Sequence, residues 1–216
     1  MSIFKAVETN NIEDVIQLLA RPGIDVNKED DKGNTALMEA SLHHKPAIVK
    51  LLLASPGINV NKANNNGFTA LIRASSWGRT AVVQLLLAVD GIDVNQTDEG
   101  GFTALMDASR NERTFAVELL LGVEGINVNL PNNRGDTALI QASYQGSTAV
   151  VQLLLAVDGI DVNHSNNDGK TALMLASEKG RTAIVQLLTE ANDPFLVRKN
   201  RQVRQWKLLP VRLQRL

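Results

Sequence analysis

Three histidines and many acidic residues are the side chains of this sequence that could catalyse a reaction or hold a metal. His43 and His44 are adjacent, and neighbours on a helix point about 100° apart, so they do not chelate one ion together. The acidic residues cluster in turns, where carboxylates form local hydrogen bonds. Cysteine is absent, which removes thiolate ligands and a cysteine nucleophile. The sequence therefore predicts no catalytic residues, no metal site and no cofactor.

The charge is distributed unevenly along the 216 residues, although the net value is only −1. Residues from 191 onward carry +6, which leaves −7 for the first 190. Apolar runs such as VVQLLLAV are shorter than the roughly 20 residues that cross a bilayer. The first residues also lack the apolar segment of a secretory signal. We therefore expect a cytoplasmic protein, with the nucleus as the alternative compartment.

The turns that hold these acidic residues recur with a period of 34 residues. Five glycines keep this spacing, and each is followed two residues later by a Thr-Ala-Leu triplet: Gly33, Gly67, Gly101, Gly135 and Gly169. Five asparagines that end Gly-Ile-Asp/Asn-Val-Asn segments keep it too: Asn27, Asn61, Asn95, Asn129 and Asn163. The stretch TAVVQLLLAVDGIDVN occurs twice without change, at 80–95 and 148–163. Such repetition indicates internal duplication.

Each repeat predicts two short helices and a turn. Thr69 is placed to cap a helix over Ala70–Ser76, and Gly78 is placed to end it. A second helix is predicted to begin near Thr80, or at Pro46 in an earlier repeat, because proline is tolerated at a helix start. Neither helix can bury its apolar side alone, so we expect the repeats to stack around a continuous core.

The motifs G-x-T-A-L-[MI]-x-A-S, V-x-L-L-L and G-I-[DN]-V-N resemble those of the ankyrin repeat family over about residues 2–190. One departure is that Met or Ile follows Thr-Ala-Leu, so the family's Thr–His hydrogen bonds are replaced by an apolar contact. The resemblance implies an all-α ankyrin-repeat solenoid of helix-turn-helix units with hairpin-like loops. We predict a capping repeat over 1–31, five repeats over 32–190 and a basic tail over 191–216. The tail is interpreted as a capping helix or as partly disordered.

The repeats differ from one another mainly in their first helices and hairpin turns. In proteins of this type those positions line a concave groove that binds partners, and interface hot spots are enriched in aromatic residues and arginine. We predict the following partner-binding residues: Phe68, Arg73, Trp77, Phe102, Asp107, Arg110, Asn111, Asp136, Gln141 and Tyr144. The alternative is that the two phenylalanines pack between neighbouring hairpins and that Trp77 covers an adjacent helix.

The resemblance thus implies a non-catalytic scaffold, a monomer that binds a partner protein and no small-molecule substrate. One alternative is a regulatory protein that contacts nucleic acid or an acidic membrane surface through the basic tail. The tail residues in that alternative are Arg198, Lys199, Arg201, Arg204 and Lys207. Another is self-association along the solenoid. Asparagines such as Asn27 and Asn95 match a motif hydroxylated in the family, or else they satisfy backbone groups of the loops.

Overall fold

The structure, a computed structural model, describes residues 2–193 and contains twelve short α-helices and no strand in that range. The chain forms two compact units that divide between Ala104 and Leu105. The first unit holds α1 (Ile3–Glu8), α2 (Ile12–Leu19), α3 (Ala36–Leu42), α4 (Pro46–Leu53), α5 (Ala70–Ser76) and α6 (Thr80–Leu87). The second follows with α7 (Ala104–Arg110), α8 (Thr114–Leu121), α9 (Ala138–Gln145), α10 (Thr148–Leu155), α11 (Ala172–Glu178) and α12 (Thr182–Asn192).

Threonine caps begin the first helix of the repeats, as the sequence predicts. The Thr69 side-chain oxygen accepts a hydrogen bond from the backbone N–H of Ile72 at 3.1 Å, which satisfies one of the free donors of a helix start. The same cap occurs at Thr35, Thr137 and Thr171. Pro46 is the first residue of α4, also as predicted. The predicted bounds Ala70–Ser76 and the start at Thr80 are confirmed.

Within each unit, the first helices of neighbouring repeats pack on one another, and so do the second helices. In the first unit α3 contacts α5 and α4 contacts α6, and in the second α9 contacts α11 and α10 contacts α12. The residues between them are completely buried: Leu71 and Ile72 are each 1% exposed and Val82 is 0% exposed. The apolar residue after Thr-Ala-Leu therefore packs in the core in these repeats, consistent with the apolar contact expected there.

An Asn or Asp near the start of each hairpin turn organises its backbone. The Asn64 side-chain oxygen accepts the backbone N–H groups of Asn66 at 3.0 Å and Phe68 at 2.9 Å. Asp30 does the same in the preceding repeat. Burial opposes ionisation of Asp30, but hydrogen bonds from the backbone and side chain of Asn34 and from the backbone of Lys32 hold the pKa of Asp30 below its ordinary value.

The loop between the two helices of a repeat contains one residue in the left-handed conformation. It is glycine in three repeats, Gly78, Gly146 and Gly180. In another repeat Glu112 takes this place, and its backbone adopts the same conformation with φ of 59°. Left-handed backbone costs a residue with a Cβ roughly 1–2 kcal/mol, a penalty that glycine does not incur.

Glu112→Gly should therefore stabilise the protein by about 0.5–1 kcal/mol, because relief of the strain exceeds the added flexibility of the unfolded chain. The measurement is the free energy of unfolding in urea. Glu112→Ala is the matched control, since it removes the carboxylate and keeps the Cβ. Equal stabilisation by the two variants would assign the effect to charge and contradict the backbone explanation.

Candidate protein-binding surface

The most exposed of the predicted binding residues in the first unit is Trp77. It caps the C-terminal end of α5, and it is 56% exposed. The guanidinium of Arg79 lies 5.8 Å from the centre of the indole ring, within the range of a cation–π contact. Arg79 is itself fixed, because its Nε donates to the backbone oxygen of Leu42 at 3.0 Å. A large apolar ring is thus held at the surface by a cation that the preceding repeat anchors.

Arg73 is held within the repeats instead of extending into solvent. Its side chain is only 16% exposed. Nη1 donates to Glu39 Oε1 at 3.0 Å, and Nη2 donates to Asn34 Oδ1 at 2.7 Å. The same Asn34 oxygen accepts the side-chain N–H of Asn64 at 2.7 Å. Arg73 therefore joins consecutive repeats, and its charge is neutralised by a carboxylate from the repeat before it.

The two phenylalanines at the hairpin turns are half-buried. Phe68 follows the turn glycine Gly67, and its backbone N–H bonds to Asn64. The Phe102 ring lies over its own turn, because a Cβ added to Gly100 would stand 3.1 Å from the ring. Neither ring is fully withdrawn from solvent, and so each leaves apolar surface at the turns.

Tyr144 is the corresponding exposed aromatic residue of the second unit. It lies near the end of α9 and is 40% exposed. The ammonium of Lys179, from the next repeat, is 4.4 Å from the centre of the Tyr144 ring. Tyr144 and Trp77 thus share an arrangement in which a cation beside the ring restricts an exposed aromatic side chain.

Asp107 and Asp136 are buried, so the expectation that all the variable positions are displayed is wrong for these two. Asp107 is 2% exposed and Asp136 is 9% exposed. Arg110 Nη2 donates to Asp107 Oδ1 at 2.7 Å, and the Asn111 amide donates to the Asp107 backbone oxygen at 2.9 Å. The bond from Arg110 compensates the Asp107 carboxylate for the loss of water, and the bond from Asn111 satisfies the Asp107 backbone oxygen.

Asp136 is compensated in a similar way by two amides. Gln141 Nε2 donates to Asp136 Oδ2 at 3.0 Å, and Asn166 Nδ2 donates to Asp136 Oδ1 at 2.8 Å. Asn166 belongs to the next hairpin, so this position serves contact between repeats. The side chains of Arg110, Asn111 and Gln141 all take part in these internal hydrogen bonds and remain partly exposed.

Phe115 is an exposed aromatic residue that our sequence reasoning missed. It lies on α8 and is 69% exposed. The second helices of the other four full repeats have alanine there: Ala47, Ala81, Ala149 and Ala183. An alignment of the repeats shows this exception, because a large aromatic residue replaces alanine at one position of an otherwise similar second helix.

The recurring asparagines of the Val-Asn segments form hydrogen bonds between repeats. Asn61 donates to the backbone oxygen of Gly91 at 2.7 Å and accepts the backbone N–H of Asp93 at 2.9 Å. Asn27 and Asn129 make the same pair of bonds to the repeats that follow them. These contacts agree with the interpretation that the asparagines satisfy backbone groups.

Two of the three histidines, His43 and His164, have polar partners in the part of the chain that the structure describes. No cluster of three metal-ligating side chains lies within residues 2–193. His43 faces Glu39 at 3.5 Å, and His164 bonds to the backbone oxygen of Gly135 at 3.0 Å. Over the same range no helix is long and apolar enough to cross a membrane. The predicted tail contacts, Arg198 to Lys207, lie outside the described residues.

Comparison with known proteins agrees with this architecture. A family model described as ankyrin repeats in three copies matches residues 3–98, 64–132 and 105–200. The crystal structure of EF0377, an ankyrin repeat protein, is similar, with a TM-score of 0.81 and 28% sequence identity. The similarity covers 87% of this chain and 96% of that one. A search of curated proteins found no match.

Proposed function

Because this chain belongs to the ankyrin repeat family, we propose that it is a non-catalytic scaffold that binds a partner protein through the groove lined by its first helices and hairpin turns. Ankyrin repeats generally mediate protein–protein interactions. The observation that carries the proposal is the exposure of Trp77 and Tyr144 at the ends of first helices, at 56% and 40%. Large aromatic residues supply much of the energy of protein interfaces.

The surroundings of both rings favour binding over simple exposure. Arg79 beside Trp77 and Lys179 beside Tyr144 restrict the rings before a partner arrives. Restriction in advance lowers the entropy lost on association. The short helices that carry the rings are themselves fixed by packing on neighbouring first helices. Each unit therefore offers one anchored aromatic residue with cationic surroundings.

Trp77→Ala and Tyr144→Ala should each weaken binding of the partner by at least tenfold, or about 1.4 kcal/mol. The partner is first isolated from the source cell with the unmodified full chain. Its affinity for each purified variant is then measured by titration calorimetry, and circular dichroism checks the fold. The addition of Phe102→Ala to Trp77→Ala tests whether the hairpin turn that precedes α7 also contributes to binding.

Phe115→Ala is the matched control, because it removes an aromatic side chain that is more exposed than either ring but lies on a second helix. We expect its affinity to equal that of the unmodified protein. Unchanged affinity in both groove variants would contradict the proposal, and so would a loss confined to Phe115→Ala.

A further inference from the structure

Three hydrogen-bond donors of the second unit lie together near the C-terminal end of α9. Tyr144 is close to the end of that helix, Lys179 caps the C-terminal end of α11, and Arg181 immediately precedes α12. The helices α9 and α11 pack on one another. We call Tyr144, Lys179 and Arg181 the donor cluster, and all three residues are exposed.

Contacts with the preceding repeat fix both cations of the donor cluster. The Lys179 ammonium lies over the Tyr144 ring, 4.4 Å from its centre. The Arg181 side chain lies against Gly146, where an added Cβ would stand 2.7 Å from Nε and 2.8 Å from Cζ. Glycine at this position, with φ of 98°, therefore leaves room for the guanidinium beside the main chain. Residues 144 and 146 are two positions apart, so the two charges lie close to the same stretch of backbone.

The donor cluster has no acceptor in the described chain. Within residues 2–193 the side chains of Lys179 and Arg181 form no ion pair and no hydrogen bond, and the Tyr144 hydroxyl forms no hydrogen bond either. The equivalent arginine of the first unit differs, because Arg79 Nε donates to the backbone oxygen of Leu42 at 3.0 Å. The hydrogen-bonding capacity of the donor cluster is therefore open to a group from another molecule.

Two carboxylates of the same repeats are already engaged elsewhere. Glu178, next to Lys179 in sequence, pairs with Lys170. Asp136 is buried, and its carboxylate accepts two side-chain amides. Neither carboxylate is available to neutralise the donor cluster.

The chemistry of the donor cluster suits an acidic peptide. Ammonium and guanidinium groups are donors only and carry positive charge, so they select an anion. Arginine binds a carboxylate through two parallel N–H bonds. The tyrosine ring adds apolar contact and a hydroxyl. Because the two cations are fixed by different residues, they match two carboxylates of one segment better than a single phosphate group.

The net charge of the repeats opposes an acidic partner, so the attraction has to come from local cations. The first 190 residues carry a net charge of −7. At physiological ionic strength, however, the influence of an exposed charge extends over roughly 8 Å. A local pair of cations therefore determines where an acidic segment binds.

We propose that the donor cluster binds an acidic segment of the partner protein. Arg181 and Lys179 each hold a carboxylate of that segment, and an apolar side chain between the carboxylates packs on the exposed part of the Tyr144 ring. This inference rests on the proposed function, because it assigns a chemical class to the partner that binds around Tyr144.

A capped peptide of alternating glutamate and leucine tests this chemistry without the partner. Nuclear magnetic resonance follows the amide signals of Gly146 and Lys179 in the isotopically labelled full-length protein as the peptide is added. We expect saturable shifts of both signals. A peptide with glutamine in place of glutamate should bind about tenfold more weakly, because each exposed ion pair contributes roughly threefold. Added salt should weaken binding of the glutamate peptide only.

Lys179→Gln and Arg181→Gln should each weaken binding of the glutamate peptide about threefold, and the double variant should weaken it about tenfold. The matched control is Arg21→Gln with Lys50→Gln, because these two cations are also exposed and form no ion pair within residues 2–193. This control should leave the affinity unchanged. Circular dichroism confirms that each variant retains its helices.

Equal affinities for the glutamate and glutamine peptides would overturn the inference, and so would equal affinities of the unmodified protein and the double variant. Tighter binding of a peptide with phosphoserine in place of glutamate would also overturn it, by assigning the cluster to phosphate. Failure of the proposed function gives a different result. In that case the preference for glutamate persists, but Tyr144→Ala leaves the affinity for the isolated partner unchanged.

Discussion

Gly135→Ala is expected to destabilise the protein by about 2–5 kcal/mol, whereas Gly169→Ala should cost only about 1–2 kcal/mol. The two glycines occupy the same place in consecutive repeats, with φ of 79° and 72°. A Cβ added at Gly135 would lie 2.7 Å from the backbone nitrogen of Asn167 and 2.9 Å from the Cα of Asn166. At Gly169 no atom of the described chain lies within 4 Å of the added Cβ.

The difference between the two variants isolates the contact between repeats, because both share the penalty of left-handed backbone. At Gly135 the adjacent hairpins meet through their main chains, and the Asn167 N–H donates to the Arg134 backbone oxygen at 3.0 Å. Backbone atoms cannot move aside as a flexible side chain can, so overlap costs more there. Urea denaturation of the two variants gives the comparison. Equal losses would show that the hairpin contact tolerates a methyl group and that backbone strain alone explains the glycine.

The helix boundaries and turns of each repeat could be predicted from sequence because residues a few positions apart determine them. Thr69 caps a helix through an N–H three residues away, Pro46 fits a helix start, and Gly78 accepts a conformation that other residues avoid. These constraints act over a few positions and recur with the period. They are sufficient to predict the helix pairs and the stacking of repeats.

The environment of the variable residues could not be predicted in the same way. A position occupied by different polar residues in different repeats suggests an exposed surface. Asp136 is nevertheless buried, and its carboxylate accepts a hydrogen bond from the side-chain amide of Asn166, 30 residues further along the chain. Arg73 is likewise held by Glu39 and Asn34 of the preceding repeat. The residues at these positions differ between repeats because the side chains that hydrogen-bond to them differ as well. Trp77 and Tyr144 remain exposed because their rings extend from the ends of helices and contact long cations that leave them accessible to solvent.

The stacking of repeats depends on polar side chains as well as on the apolar core. Asn129 Nδ2 donates to the Gly159 backbone oxygen at 2.8 Å, and its Oδ1 accepts the Asp161 backbone N–H at 2.9 Å. One amide thus satisfies a donor and an acceptor of the next repeat. In a repeat protein, total stability is close to a sum of repeat terms and terms for contacts between neighbours. Loss of this side chain should therefore weaken a neighbour contact directly.

Asn129→Ala should lower the free energy of unfolding by about 2 kcal/mol, since each of the two hydrogen bonds contributes roughly 0.5–1.5 kcal/mol. Asn163→Ala is the matched control, because Asn163 holds the same position in the last repeat and its side chain makes no hydrogen bond within residues 2–193. We expect this control to change stability by less than about 0.5 kcal/mol. Urea denaturation followed by circular dichroism measures both, and hydrogen exchange at Asp161 reports the broken contact locally. Equal losses in the two variants would mean that the asparagine stabilises its own turn, and the bonds between repeats would then contribute nothing measurable.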